Sequence, residues 1–290
     1  MVADQADNPW IPEGLGPVAD AHVHIFPKPI MEAIWRWFDA HAWTIRYRLD
    51  PEAIIAFLLD RGVGHVVALT YAHKAGLARD LNSFMAEAVR RWEGRVTGLA
   101  TVFPGEPGAA AILAEAFSQG LAGVKLHAHV QCFDMNGSAM EEVYQVCADH
   151  GKPILMHVGR EPKSPAYGCD PHQLCSAAKL AKVLDTHPGL KVCVPHLGFD
   201  EIGAYADLAR RYDTLWLDTA MVLTDYFPGY EPVDIGGLRD DRVIYGTDFP
   251  NLPYAWDREL RQLAGRHLPP AVLQRLLWQN AADLFGFDQP

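Results

Sequence analysis

V-A-D-A-H-V-H, residues 18–24, is the stretch whose reading decides the fold of this chain. It is a short apolar run that closes on two histidines. In an extended strand the i, i+2 spacing of His22 and His24 points both imidazoles to one side, about 7 Å apart along the strand, so both reach a single divalent cation. Asp20 lies on the same face, where it is expected to orient an imidazole from behind. Taken alone, H-x-H is better explained by two structural or surface histidines. What changes that reading is the recurrence of the arrangement downstream: Lys125 in G-V-K-L-H, His157 in P-I-L-M-H-V-G, His196 in V-C-V-P-H-L-G and Asp248 in V-I-Y-G-T-D-F-P each close a short apolar run.

These runs belong to a longer series. Residues 18–25, 65–70, 96–102, 122–126, 153–158, 190–195, 215–219 and 243–246 read as strands buried on both faces, bounded by Gly, Pro or Asp. Their ends recur at roughly 32 residues, the repeat of a (β/α)8 TIM barrel, so the predicted class is α/β with one barrel domain. In that fold the C-terminal ends of the strands converge, which brings residues between positions 22 and 248 into one cluster. A doubly wound sheet would leave some of the six groups stranded. Amphipathic stretches at 51–60, 76–92, 109–119, 140–150, 171–186 and 270–284 supply the helices, with Asp50 and Asp170 read as N-caps ahead of Pro51 and Pro171. Residues 26–49, carrying Trp35, Trp37 and Trp43, exceed an ordinary βα loop and are expected to wall the pocket. The barrel is assigned to residues 17–290. Residues 1–16, polar and rich in Pro and Gly, read as a loose arm without the basic and apolar regions of a secretory signal.

Composition narrows the partners. The chain has 290 residues, 49% of them hydrophobic and 21% charged, enough for one large core. A formal charge of −11 with no Lys/Arg cluster excludes nucleic acid as the expected partner. No apolar run approaches the roughly 18 residues of a membrane span. The five cysteines form no C-x-x-C pair and read as reduced, packed thiols. The expectation is a cytoplasmic protein acting on a small molecule, with a homo-oligomer allowed.

Each candidate has a chemical role and a plainer one. His157 and His196 are ligands or hydrogen-bonded core histidines. Asp248 is a ligand that shares a proton with water, or an N-cap before the Phe249-Pro250 turn. Lys125 is either a cation for a substrate carboxylate or a carboxylated bridge between two metals; the simple amine is favoured, since a bridge requires a neutral amine and a second ion. Past the strand ends, Arg160 offers a bidentate clamp for a carboxylate or a surface ion pair, and His127 and Tyr71 are further substrate-binding candidates.

The ordered set D-A-H-V-H (20–24), G-V-K-L-H (123–127), H-V-G (157–159), P-H-L-G (195–198), Y-G-T-D-F-P (245–250) and N-A-A-D-L-F-G (280–286) resembles the amidohydrolase superfamily. The resemblance is to the amidohydrolase-related group that includes aminocarboxymuconate semialdehyde decarboxylase. It implies a distorted (β/α)8 barrel and a mononuclear or binuclear metal centre. Its ligands map onto His22, His24, His157 and Asp248, with His196 as a ligand to a second metal or a neighbour that activates water or substrate. One divalent ion, Zn, is expected; two follow if Lys125 is carboxylated. The implied activity is metal-dependent hydrolysis of a small amide, ester or lactone, and the alternative is non-oxidative decarboxylation of an aromatic or enoic acid.

Overall fold

The computed structural model describes residues 6–160, 164–226 and 233–290. Among the described residues eight parallel strands run β1 (Ala19–His24), β2 (His65–Leu69), β3 (Val96–Gly98), β4 (Val124–His127), β5 (Ile154–His157), β6 (Val192–Val194), β7 (Leu215–Asp218) and β8 (Val243–Ile244). They form two ladders, β1-β2-β3 and β4 through β8 in order. Both seams between the ladders are closed by backbone hydrogen bonds rather than regular strand. At one, the Ala100 N–H donates to Gly123 O (2.8 Å) and the Lys125 N–H to Ala100 O (2.7 Å). At the other, the His24 N–H donates to Phe249 O (2.7 Å) and the Asp248 N–H to His22 O (2.9 Å). The result is a closed, distorted (β/α)8 barrel. β4 runs to His127, so Lys125 lies within the strand rather than at its end.

The strands carry two layers on the barrel interior. Ala21, Val67, Leu155, Cys193, Trp216 and Ile244 pack with Leu284 and Phe285 of the last helix into an apolar plug. Strand residues alternate faces, so two positions beyond Leu155 and Trp216 the same interior face presents His157 and Asp218. In β1 a register irregularity between Asp20 and Val23 separates Ala21, in the plug, from the histidine pair above it.

Helices α1 (Lys28–His41), α2 (Pro51–Leu59), α3 (Ala78–Arg91), α4 (Ala109–Ser118), α5 (Ala128–Gln131), α6 (Glu141–Asp149), α7 (Pro171–Leu174), α8 (Ala177–Thr186), α9 (Ile202–Arg211) and α10 (Arg258–Gly265) surround the strands. A final helical stretch, residues 270–285, contains a π-helical segment at Arg275–Gln279. Several expectations need correction. The single helix expected over 171–186 is two, because Ser176 caps a new start: its Oγ accepts the Lys179 N–H at 3.1 Å. Asp170 does cap α7, accepting the His172 N–H at 3.0 Å, whereas Asp50 makes no capping bond and pairs with Lys28 at 3.2 Å. The arm is tied down where it is described. The Ile11 N–H donates to Arg61 O (3.0 Å), the Trp256 indole N–H to Asn8 O (3.1 Å) and the Tyr47 hydroxyl to Asp7 (2.5 Å).

Candidate metal centre

At the C-terminal mouth three side chains meet. His22 Nε2, His24 Nε2 and Asp248 Oδ1 lie 3.2, 3.3 and 2.9 Å apart as His22–His24, His22–Asp248 and His24–Asp248. All three residues are buried. The seam between β8 and β1 creates this approach, and the chain accommodates it locally: Asp248 takes φ 70°, at a cost of about 1 kcal/mol for a residue that tolerates the left-handed region. Gly246 is required there, because a Cβ on it would stand 2.6 Å from His22 Cβ.

Asp218 at the end of β7 sets the imidazoles. Its Oδ2 accepts from His22 Nδ1 at 2.8 Å, and its Oδ1 accepts the backbone N–H of His196 (3.0 Å) and of Ala220 (3.1 Å). With the proton of His22 on Nδ1, Nε2 presents a lone pair to His24 and Asp248. The orienting role expected of Asp20 therefore belongs to Asp218. Asp20 turns to the seam, accepting from the Thr247 hydroxyl (2.6 Å) and the backbone N–H of Thr247 (3.0 Å) and His22 (3.2 Å). Burial lifts the Asp20 carboxyl to about 7 against those bonds.

Electrostatics favour neutral imidazoles beside an ionised carboxylate. Burial, then the Lys125 charge, holds His22 well below the usual histidine range. Burial also lowers His24, against the hydrogen bond it donates to Asp248. For Asp248, burial pushes the carboxyl up, but the His24 hydrogen bond and the charges of His24, His196 and Lys125 outweigh it and hold the group below the ordinary carboxylate value. Two imidazole nitrogens and one carboxylate oxygen suit a divalent cation. For bonds of about 2.1 Å, adjacent ligands of one ion stand about 3.0–3.4 Å apart, close to the spacings found here.

The remaining candidates divide. Lys125 Nζ is 3.3 Å from His22 Nε2, fully buried, and lies behind the histidines rather than on the cavity wall. His157 offers a ring nitrogen within 4.8 Å of one on His127 and of one on His129. The physical cause is register: His157 and His127 are partners on adjacent strands and their rings stack at 4.0 Å. His196 stands between the two groups, its ring 5.4 Å from that of His22 and 4.7 Å from that of His157. It occupies a tight turn, Pro195–Gly198, with φ 57°, and its Nδ1–H donates to Ala220 O at 2.7 Å. That bond leaves Nε2 as an acceptor when the ring is neutral.

Above these groups lies a cavity of about 810 Å³, within the usual range for small-molecule sites. His24, Tyr71, His127, His157, His196 and Asp248 reach it. Residues from the 26–49 segment, among them Trp37, Phe38 and Trp43, form an aromatic wall with Tyr167 and Phe199. Arg160 is the misplaced candidate. Beyond β5 its backbone bridges Phe199, and its guanidinium pairs with Glu201 (3.1 Å) and Asp200 (3.3 Å) away from the cavity wall, the surface ion pair rather than the clamp. Asp218 and His129 were not singled out from the sequence. The signals were an acid closing the apolar run L-W-L-D and a second H-x-H at 127–129.

The sequence model of the amidohydrolase family matches residues 19–287. No curated protein matches the chain. Among solved structures, an amidohydrolase II is similar at 19% identity over 93% of this chain and 99% of that one, with a TM-score of 0.70. A 5-carboxyvanillate decarboxylase from Novosphingobium aromaticivorans, complexed with manganese and 4-hydroxy-3-methoxy-5-nitrobenzoic acid, is similar at 14% identity over 97% and 100% of the two chains, TM-score 0.67. A probable 2-pyrone-4,6-dicarboxylic acid hydrolase from Acinetobacter baumannii with citric acid bound gives 16% identity over 93% and 99%, TM-score 0.59. At these identities the likeness is one of fold.

Proposed function

The chain belongs to the amidohydrolase family, and from that premise we propose that it is a divalent-metal-dependent hydrolase of a small amide, ester or lactone. The observation that carries the reading is the convergence of His22 Nε2, His24 Nε2 and Asp248 Oδ1 at 2.9–3.3 Å on the floor of a roomy cavity. Those three residues would hold the ion. Zn is favoured for two imidazoles and a carboxylate, and the same donors also take Mn, Fe or Co. A divalent cation bound there supplies a Lewis acid that polarises a carbonyl and makes water more acidic.

The chain's own groups do the rest. Asp248, held below the ordinary carboxylate range, is ionised at neutral pH and accepts a proton from the attacking water, then returns it to the leaving group. His196 Nε2 is a second proton acceptor on the cavity wall, and donates to an oxyanion once its ring is protonated. Lys125 acts through His22 as a simple amine, its charge favouring the neutral imidazole. Tyr71 and His127 face the substrate, and the aromatic wall holds its apolar part. No helix of the described residues is long and apolar enough to cross a membrane.

A second reading has specific support: decarboxylation of an aromatic or enoic acid. The aromatic wall fits such an acid, and one similar structure is a decarboxylase bound to a nitrobenzoic acid. The test is a parallel screen of the metal-loaded protein. Lactones and esters are followed by acid release in a pH-stat, amides by release of ammonia or free amine, and aromatic and enoic acids by CO2 evolution. Acid or amine release supports hydrolysis; CO2 evolution with neither acid nor amine release from any of the first set overturns it in favour of decarboxylation.

A further inference from the structure

We propose that α1 is the specificity element of the cavity, selecting a substrate whose end remote from the reacting group is an uncharged, apolar chain or ring system; only the identity of the reacting group rests on the hydrolase reading. Ile30, Ala33, Ile34, Trp37, Phe38 and His41 of this helix line the cavity. With 3.6 residues per turn, these positions fall within one arc of about 140°. Lys28, Glu32, Arg36 and Asp39 fall on the opposite side. Met31, fully buried, and the half-buried Trp35 occupy the flank between and dock the helix on the core. An apolar stripe of this width ordinarily packs against a core. Here it fronts a cavity of about 810 Å³, so the apolar group that covers it arrives with the ligand.

The floor of the cavity fixes which molecule that is. His24 and Asp248 reach the same space, so its occupant is the molecule that reacts. The apolar wall begins directly beside them: the Phe26 ring stacks on His24 at 6.0 Å and 9° and stands edge-on to Tyr71 at 5.0 Å. α1 continues that wall. The Trp37 ring meets that of Tyr167 at 5.6 Å, and the Phe38 ring stands edge-on to Trp43 at 5.2 Å. The Trp43 indole N–H donates to Asn251 O at 2.7 Å, so its one donor is already engaged. A substrate held at the floor by its carbonyl therefore lays its remaining length against carbon surface.

The same lining opposes a second carboxylate at that end. Moving an ionised group onto Ile34, Trp37 and Phe38 removes its hydration without supplying a partner. Asp225, a further acid on the lining, repels it. Arg160, which would pair with it, is held by Glu201 and Asp200 away from the wall. An apolar group gains instead, since each methylene buried there strengthens binding about three- to fourfold. The class selected is an ester, lactone or amide with one reacting head and a long alkyl or aryl substituent.

Calorimetric binding of butanoate, hexanoate, octanoate and octanedioate to the Zn2+-loaded full chain tests this, because the carboxylate head is common to all and no turnover is needed. Wild type is expected to bind octanoate at least about tenfold more tightly than butanoate, with hexanoate between, and octanedioate at least about tenfold more weakly than octanoate. Trp37→Ala is expected to cut the octanoate-to-butanoate affinity ratio at least about fivefold. A flat wild-type series, octanedioate bound as tightly as octanoate, or an unchanged ratio in folded Trp37→Ala overturns the inference. The wild-type series alone decides it if the variant fails to fold. The hydrolase reading is judged separately by acid or amine release: a rising series without such release removes the hydrolase and leaves the role of α1 standing, and release with a flat series does the reverse.

Discussion

Leu155 and His157 are two residues apart on β5 and face the same barrel interior, yet one sits in the apolar plug and the other at the mouth. Trp216 and Asp218 repeat the contrast on β7, and Ile244 and Asp248 bracket it at β8. The lower layer is filled by side chains that need only fit. The upper layer gathers buried imidazoles and carboxylates whose desolvation each opposes folding. A barrel tolerates the second because the first, with the surrounding helices, supplies the stability; the polar layer can then be arranged for chemistry. The difference extends to histidines. His65 starts β2 at the opposite end of the barrel, bonded to Thr97 Oγ1 at 2.8 Å and stacked on Phe287 at 3.9 Å, a packing role.

That division can be broken from either side, and the largest effect is expected at the mouth. Asp248→Asn keeps size and removes charge and basicity, so turnover should fall about 10²–10⁴-fold while the melting temperature stays near wild type. Near-normal turnover would remove Asp248 as the base and move that role to His196.

Leu155→Ala attacks the lower layer instead. Truncating a fully buried leucine should cost about 2–5 kcal/mol in denaturant unfolding, with metal content per folded molecule unchanged. Loss of metal at full stability would show the layers to be coupled.

Gly246→Ala sits between the layers. The added methyl collides with His22 Cβ, so stability should drop by about 1–3 kcal/mol and metal affinity should weaken with it. Unchanged affinity measured by calorimetry would mean that the seam yields without moving His22.

The smallest effect concerns pH. Burial lowers His65 from 6.5 to about 4, so the folded chain resists a proton that the unfolded chain takes up. Its contribution is complete above pH 6.5 and is lost as pH falls toward 4, about 2 kcal/mol once partial solvation is allowed for. His65→Gln should flatten the acid limb of stability against pH; an identical limb in the variant would assign that limb to other groups.

Much of the barrel was legible because its strands are short apolar runs whose ends carry the chemistry. Strand ends at His24, His157 and Asp218 coincide with or lie close to the expected positions, since burial on both faces leaves a continuous hydrophobic signature. Less was legible where the chain bends sharply. The four-residue α5 that delivers His129 is too short for a periodic signal, and the break before Ser176 rests on one cap. Arg160 misled because spacing does not say which way a side chain turns once Asp200 and Glu201 stand near it.

The sequence by itself determined the eightfold strand repeat, the polar residues closing the strands and the family resemblance, because each is a property of local pattern and order. Only the tertiary structure decided which groups meet. Asp218 orients His22 from 196 residues away, Asp20 serves a seam instead of an imidazole, and His157 joins His127 and His129 through strand register. Those pairings follow from barrel closure and from the need of each buried donor and acceptor for a partner, and neither is written in the spacing of residues along the chain.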